Sequence, residues 1–178
     1  MTLTARELHD RLGLKMFVEL DALHLLAKVL PAKPICVNLG SGWGVSSLAF
    51  LEAREDLYLY SVDNRDENHP RGALGNERDV YAEAGIDPSR WHQYLGDAAR
   101  TAKFHKPMVD LVYHDADHNG PEVLAAISAW APKIKPEGVF AFHDYGDPRW
   151  LEVKPVVDDR LGHWERILWV GRVAGFSR

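Results

Sequence analysis

Short apolar runs alternate with amphipathic stretches along most of the chain. A buried parallel strand appears as a continuous apolar run because helices cover both faces of its sheet. The alternation therefore predicts an α/β fold with a doubly wound, mostly parallel sheet. The predicted strands are Ile35–Leu39, Leu57–Val62, Trp91–Leu95, Val109–Tyr113 and Val139–Phe142. The helices predicted between them are Val45–Arg54, Asn76–Ala84, Ala98–Phe104 and Pro121–Ala131.

Both ends of the chain carry elements beyond this alternation. Residues Leu8 to Leu30 predict one or two amphipathic helices, broken around Gly13. A helix is also predicted from Trp150 to Arg160. Two apolar runs close together then predict a terminal hairpin, at Trp164–Val170 and Arg172–Phe176. We expect a single domain over residues 1–178, with an N-terminal helical segment (1–34) and a sheet core (35–178).

Composition excludes several classes of protein. The 178 residues include 21 Lys and Arg against 26 Asp and Glu, and the basic residues are scattered, so no nucleic-acid-binding surface is predicted. No apolar run approaches the roughly 20 residues needed to span a bilayer. The N-terminus is too charged for a signal peptide, and the single cysteine, Cys36, lies within a predicted core strand. We expect a cytoplasmic protein that binds neither nucleic acid nor membrane.

A glycine-rich turn separates the first predicted strand from the helix after it. Gly40, Gly42 and Gly44 occupy alternate positions there. Such a turn lets the backbone approach a ligand closely, and the N–H groups at the start of the helix face that ligand. The dinucleotide motif G-x-G-x-x-G would need its last glycine at position 45, which is Val45. The turn therefore predicts a nucleotide-like cofactor other than NAD.

Each predicted strand has a small polar or acidic residue at or just beyond its end. Ligands of open α/β sheets bind outside the carboxyl ends of the strands, so these side chains predict a common site. Asp63, about 20 residues beyond the glycine turn, is placed to accept hydrogen bonds from ribose hydroxyls. Asp97 can contact an adenine amino group, cap the following helix, or do both. The five residues are Asn38, Asp63, Asp97, Asp115 and Asp144.

The ordered set of Asn-Leu-Gly-Ser-Gly-Trp-Gly, Asp63 and Gly96-Asp97-Ala98 resembles the motifs of class I S-adenosylmethionine-dependent methyltransferases. The resemblance implies a Rossmann-like, seven-stranded, three-layer fold. It also implies that the glycine turn cradles the methionine portion of the cofactor. Asn38 stands where the family usually has an acid. The implied cofactor-binding residues are Asn38, Gly40, Ser41, Gly42, Trp43, Gly44, Asp63, Asn64, Gly96, Asp97, Ala98 and Asp115.

The ends of the fourth and fifth strands carry the candidate catalytic residues. These strands are neighbours in a doubly wound order, so Asp115, His118, His143 and Asp144 are expected to lie within one coordination sphere. Two carboxylates and an imidazole suit a divalent metal. Neutral imidazole is a good proton acceptor near neutral pH, so His118 is a candidate base.

Asp-Ala-Asp-His and Phe-His-Asp-Tyr resemble the signatures of small-molecule O-methyltransferases of the macrolide-sugar and catechol types. That resemblance implies His118, Asp115 and Asp144 as catalytic residues, with His118 as the base. It implies Asp115, His143 and Asp144 as ligands of a metal such as Mg²⁺ or Mn²⁺, and an imidazole ligand favours Mn²⁺, Fe²⁺ or Zn²⁺. Alternatively, no metal binds and His143 orients the substrate.

We expect a small-molecule acceptor, such as a sugar or phenol. The polar loop 66–75 is a candidate cover for the pocket, and Arg149 and Trp150 are candidate acceptor contacts. Because the chain is compact, we expect an open site or a lid from a second subunit of a homo-oligomer. The alternatives are a metal-independent N-methyltransferase, a non-catalytic S-adenosylmethionine-binding protein and, less favoured, an NAD-dependent oxidoreductase.

Overall fold

The computed structural model describes residues 2–13, 17–64 and 77–178. The strands are β1 (Ile35–Leu39), β2 (Tyr58–Asp63), β3 (Trp91–Leu95), β4 (Val109–His114), β5 (Ile134–Phe142), β6 (Glu165–Val170) and β7 (Val173–Ser177). The helices are α1 (Ala5–Arg11), α2 (Phe17–Val29), α3 (Val45–Ala53), α4 (Glu77–Glu83), α5 (Ala98–Thr101), α6 (Gly120–Trp130) and α7 (Val153–Leu161). The predicted loop 66–75 lies outside the described residues.

All seven strands form one sheet in the order β3-β2-β1-β4-β5-β7-β6. Strands β1 to β5 are parallel, and β7 lies antiparallel between β5 and β6. This arrangement confirms the predicted doubly wound Rossmann-like fold with a C-terminal antiparallel hairpin. The strand order reverses between β1 and β4, which is the position where open α/β sheets bind their ligands.

The sheet is covered on both faces, as its apolar strands require. On one face Leu23 and Leu26 of α2 and Leu48 of α3 belong to a fully packed cluster with Leu111 and Tyr113 of β4. On the other face Trp130, Phe140 and Val157 belong to a second cluster built from α6, β5 and α7. The result is the predicted three-layer αβα architecture. Within the described residues, no helix has the length and apolar character needed to cross a bilayer.

Several predicted boundaries differ from the structure by one to three residues, and the start of β5 differs by five. Strand β5 begins at Ile134 rather than Val139, because Pro136 and Gly138 favour a turn in the sequence but here lie within an irregular strand. The pairing with β4 jumps from Ile134 to Val139 while β4 advances only two residues. Helix α5 ends at Thr101 rather than Phe104. The division into segments 1–34 and 35–178 stays a prediction.

Backbone hydrogen bonds continue beyond the strand ends and hold the candidate site together. The Asp115 N–H donates to the Leu39 carbonyl at 2.8 Å, and the His143 N–H donates to the His114 carbonyl at 2.9 Å. The segments that follow β1, β4 and β5 are therefore fixed side by side.

Candidate active site

A cavity of about 450 Å³ lies at the carboxyl ends of β1, β4 and β5. The N-terminal helix α2 closes one side, and the loop after β5 closes another. Most of the sequence-predicted catalytic and glycine-turn residues meet here. The lining residues include Glu19, Gly40, Ser41, Gly42, Trp43, Ser46, Asp115, His118, His143, Asp144, Arg149, Trp150 and Arg172.

The three glycines of the turn have different roles. All adopt the left-handed backbone region, with φ of 83° at Gly40, 53° at Gly42 and 86° at Gly44. A Cβ on Gly40 would lie 2.2 Å from the Asp115 carbonyl oxygen, so this glycine permits the close approach of β1 and β4. A Cβ on Gly42 would meet no atom of the described residues within 4 Å. Gly42 is therefore the glycine whose missing side chain leaves room for a ligand.

A buried carboxylate supports the glycine turn from behind. Glu77 is fully buried at the start of α4. It accepts hydrogen bonds from Ser41 in the turn at 3.2 Å and from Ser61 in β2 at 2.9 Å. Tyr81 and Gln93 also donate to it. Sequence reasoning missed Glu77, because the hydroxyls that it joins lie 16 and 36 residues away.

Asn38 links the end of β1 to the first turn of α3. Its Nδ2 donates to the Ser47 hydroxyl at 2.7 Å and to the Ser46 hydroxyl at 3.0 Å. The side chain is fully buried, and its Oδ1 has no hydrogen-bond partner among the described residues. A buried amide oxygen normally accepts a hydrogen bond. The unpartnered Asn38 Oδ1 is therefore consistent with a ligand or water bound beside the turn.

The predicted ribose and adenine contacts lie apart from the cavity lining. The Asp63 Oδ2 accepts the Gly42 N–H at 2.7 Å, so this carboxylate already binds the glycine turn. Asp97 caps α5 by accepting the Arg100 N–H at 2.7 Å. Asp97 and Ala98 line a second groove of about 470 Å³ against α6. Asn64 is exposed beside Asp63, and the Gly96 N–H donates to the Asp63 carbonyl. Their cofactor contacts stay predictions.

His118 and Asp144 form a pair at the cavity. His118 Nε2 lies 2.8 Å from Asp144 Oδ2, and the His118 ring stacks on Trp150 with the ring centres 4.3 Å apart. Burial would raise the pKa of Asp144, but hydrogen bonds from His118 and His143 outweigh it and hold that pKa below its usual range. The Asp144 carboxylate is therefore ionised and able to orient the His118 ring.

Asp144 reaches this position through an unusual backbone conformation. It is not a glycine, yet its φ is 55°, in the left-handed region. Such residues carry strain of about 1–3 kcal/mol and persist where several contacts fix them. The positive φ belongs to the residue whose carboxylate meets His118, His143 and Arg172.

His143 lies among three carboxylates. Its Nδ1 is 3.1 Å from Asp115 Oδ1 and 3.0 Å from Asp144 Oδ2, and its Nε2 is 2.9 Å from Glu19 Oε2. Burial alone would lower the pKa of His143, but the carboxylates outweigh it and raise the pKa to about 12. These three carboxylates favour the imidazolium form of His143, in which neither nitrogen offers a lone pair.

Two site residues come from parts of the chain that sequence reasoning left out. Glu19 lies in the first turn of α2, and Arg172 lies between β6 and β7. The Arg172 Nε donates to Glu19 at 2.6 Å, and its Nη1 donates to Asp144 at 3.0 Å and to Asp147 at 3.0 Å. A charged residue on the otherwise apolar face of α2 was the available signal for Glu19.

Three potential metal-ligand atoms converge at the cavity, although the set differs from the predicted one. One atom each from Asp115, His118 and Asp144 lies within 4.8 Å of the others. The predicted ligand His143 is absent from this group. Its nitrogens instead contact the carboxylates described above.

Comparisons with known proteins agree with this geometry. A methyltransferase domain family matches residues 37–145. CalS11, a TDP-rhamnose 3'-O-methyltransferase of calicheamicin biosynthesis, is 18% identical, with a TM-score of 0.68 over 97% of this chain and 80% of that chain. Cofactor-bound Rv0187 from MTB is 19% identical, with a TM-score of 0.72 over 92% and 80%. A Staphylococcus aureus protein assigned as a caffeoyl-CoA O-methyltransferase is 14% identical, with a TM-score of 0.71 over 97% and 88%.

No curated protein matches the sequence. At these identities the solved structures establish the fold, while the family match extends over more than half of the chain. That match covers the glycine turn, the β4 segment and the His143-Asp144 segment, which together line the cavity. The chain therefore belongs to the methyltransferase domain family, as a class I S-adenosylmethionine-dependent methyltransferase.

Proposed function

We propose that the enzyme transfers a methyl group to a hydroxyl oxygen of a small molecule, and that His118 removes the hydroxyl proton. The observation that carries the proposal is the 2.8 Å contact between His118 Nε2 and Asp144 Oδ2. This pair faces the same cavity as Gly42, the open position of the glycine turn. A base and the cofactor cradle thus share one compartment.

The fit of the cofactor is supported by the turn itself. No atom of the described residues lies within 4 Å of the place where a Gly42 Cβ would stand. Asn38, whose amide contacts the lining residue Ser46, has a buried Oδ1 with no hydrogen-bond partner among the same residues. These features suit a polar ligand lying along the turn. S-Adenosylmethionine supplies an electrophilic methyl group when it is bound.

The tautomer of His118 follows from its partner. An ionised carboxylate only accepts hydrogen bonds, so His118 must donate to Asp144 through Nε2. The lone pair of the neutral ring is then on Nδ1, which is the nitrogen available to take a proton. Trp150 restricts rotation of the ring by stacking on it. The arrangement matches a base that is oriented by a third group.

This pair favours oxygen over nitrogen as the methylated atom. A hydroxyl oxygen is a weak nucleophile until its proton is removed, so a positioned base increases the rate. A neutral amine already has a nucleophilic lone pair. A base is therefore dispensable only for an amine that is already neutral, whereas a hydroxyl acceptor gains from one in any case.

A metal bound by Asp115, His143 and Asp144 stays a prediction, and the contacts of His143 do not fit it. An imidazolium cannot ligate a cation, and it lies within 3.1 Å of an oxygen of each of the other two residues. The alternative donors Asp115, His118 and Asp144 suit Mn²⁺ or Zn²⁺ better than Mg²⁺. Because His143 already neutralises their carboxylates, we assign proton removal to His118 and no step to a metal.

The acceptor side of the cavity is aromatic and cationic. Trp43, Arg149 and Trp150 line it, and Arg149 is held by Asp147 through two nitrogens. Phenols and sugars, which combine a ring face with polar hydroxyls, suit such walls. A homo-oligomer, a cytoplasmic location and the absence of nucleic-acid or membrane partners are further parts of the proposal.

Calorimetric titration and a variant pair test the proposal. S-Adenosylhomocysteine should bind and NAD should not. An acceptor found by screening sugars and catechols with S-adenosylmethionine should be methylated on oxygen. His118→Ala should slow this reaction about 10²–10⁴-fold with little change in S-adenosylhomocysteine affinity. The exposed His163→Ala is the matched control. Equal rates in both variants, or methylation of nitrogen alone, would refute the assignment.

A further inference from the structure

We propose that Glu19 and Arg172 are positioning residues for catalysis, which hold Asp144 so that His118 keeps its Nδ1 lone pair available. This inference rests on the proposed function of His118. It gives the N-terminal helix α2 and the β6–β7 turn a part in the active site. Neither residue touches His118 in the structure, so both would act through Asp144 and His143.

The four side chains form a closed ring of contacts. Arg172 donates to Asp144 Oδ1 at 3.0 Å and to Glu19 Oε1 at 2.6 Å. Glu19 Oε2 lies 2.9 Å from His143 Nε2, and His143 Nδ1 lies 3.0 Å from Asp144 Oδ2. The ring thus reaches both oxygens of Asp144. Rotation of that carboxylate would break contacts on two sides.

Because the four side chains of this ring of contacts are largely buried, each charge depends strongly on its partners. The side chain of Asp144 is 4% exposed, and those of His143, Glu19 and Arg172 are 12%, 14% and 19% exposed. A buried charge that loses its partner is strongly unfavourable, so each member depends on the others. Asp144 also has a left-handed backbone that surrounding contacts must maintain.

The contacts of the individual carboxylate oxygens of Asp144 and Glu19 indicate a positioning role in addition to a stabilising one. Arg172 occupies Asp144 Oδ1, and the other oxygen, Oδ2, meets His118 at 2.8 Å. Arg172 alone could neutralise Glu19, because both Nε and Nη2 contact Glu19 Oε1. The second oxygen of Glu19 instead contacts His143. The ring therefore fixes the orientation of the Asp144 carboxylate, which keeps an ionised oxygen opposite His118 Nε2 and so favours the Nε2–H tautomer.

The test measures that tautomer directly. Nitrogen-15 NMR of the histidine rings in the ligand-free protein, recorded over a pH series that reaches the neutral form of the His118 ring, reports which His118 nitrogen carries the proton. In the wild type the Nε2–H form should predominate by about tenfold or more. Glu19→Gln keeps the shape and removes the charge, and should bring the ratio to within about threefold of unity.

Asp21→Asn is the matched control, because Asp21 lies on the same helix and its side chain is 65% exposed, facing Arg6. It should leave the His118 tautomer unchanged. Arg172→Lys is the second variant. A single ammonium cannot contact Glu19 and Asp144 through separate nitrogens, so it should also reduce the Nε2–H preference. Melting temperature and S-adenosylhomocysteine affinity are measured alongside.

The outcomes separate the two proposals. If the wild type shows no Nε2–H preference, the assigned role of His118 fails. If the wild type shows it and Glu19→Gln and Arg172→Lys keep it, only the positioning role is refuted. If neither variant folds, the ring is a stability element and the positioning role is likewise refuted. Loss of the preference in both folded variants, but not in Asp21→Asn, supports it.

Discussion

Alanine substitution at two glycines of the same turn should have different consequences. At Gly40 the new Cβ would lie 2.2 Å from the Asp115 carbonyl oxygen and 2.5 Å from the Ala116 Cα. Both are backbone atoms, and the β4 segment is held by the 2.8 Å bond from Asp115 to Leu39. The strands cannot separate without breaking that bond. At Gly42 the new Cβ would have no atom of the described residues within 4 Å.

The expected magnitudes follow from these distances. A left-handed φ costs a side-chain-bearing residue about 1–2 kcal/mol, and both glycines have one. Overpacking adds about 1–3 kcal/mol, but only at Gly40. We therefore expect Gly40→Ala to lower the free energy of unfolding by about 2–5 kcal/mol and Gly42→Ala by about 1–2 kcal/mol.

Urea unfolding measures the change in the free energy of unfolding. Calorimetry with S-adenosylhomocysteine measures the change in ligand affinity. Gly42→Ala should weaken that ligand at least about tenfold, since its Cβ enters the space that the ligand needs. Equal losses of unfolding free energy in the two variants would show that the close approach to Asp115 is not the constraint. Wild-type affinity in Gly42→Ala would show that the turn does not cradle the ligand.

Three further predictions concern the Asp97 cap of α5, the metal dependence of methyl transfer and the buried histidines His105 and His114. Asp97→Ala should lower the free energy of unfolding by about 1 kcal/mol because it removes the α5 cap; an unchanged urea midpoint would contradict this. Methyl transfer should persist in excess EDTA, because the His143 imidazolium pairs with the site carboxylates; a loss reversed by Mn²⁺ would overturn it. Burial lowers the pKa of His105 and of His114 to about 4. Between about pH 6.5 and pH 4 the unfolded chain therefore binds more protons than the folded chain. The free energy of unfolding should consequently decrease as the pH is lowered through this range. His105→Phe should flatten this fall, and parallel curves would refute the assignment.

The strand positions and the doubly wound parallel arrangement could be predicted because the chain alternates so regularly. All seven strands occur near their expected positions, and the parallel run and the hairpin follow from the spacing of apolar segments. The start of β5 could not be predicted, because Pro136 and Gly138 usually end strands. The structure accommodates them through an irregular pairing, in which Glu137 has a φ of 64°. Tertiary contacts with β4 and with Arg178 hold this irregular segment, and such contacts cannot be read from the local sequence.

The site was predictable where its residues follow strand ends. Gly42, Asp115, His118 and Asp144 line one cavity as the alternation implied. Glu19 and Arg172 were not predictable, because 153 residues separate them and their contact depends on α2 packing beside the C-terminal hairpin. The local sequence around Glu19 or Arg172 does not indicate that these two side chains pair. His143 illustrates the same point, since its contact with Glu19, 124 residues away in the chain, could not be predicted from the segment around it.

Asn38 acquires a meaning from the structure that its replacement of an acid does not suggest. An ionised acid at this position could only accept hydrogen bonds from the two serine hydroxyls near it. The Asn38 amide instead donates to the Ser46 and Ser47 oxygens. A hydroxyl that accepts a hydrogen bond keeps its own proton to donate, and Ser46 lines the cavity. The amide thus gives up a charge that would attract an ammonium group, and it orients a donor suited to a carboxylate. Both groups occur in the methionine portion of the cofactor, so we expect the Ser46 hydroxyl to contact the carboxylate in place of an acid that would contact the ammonium group.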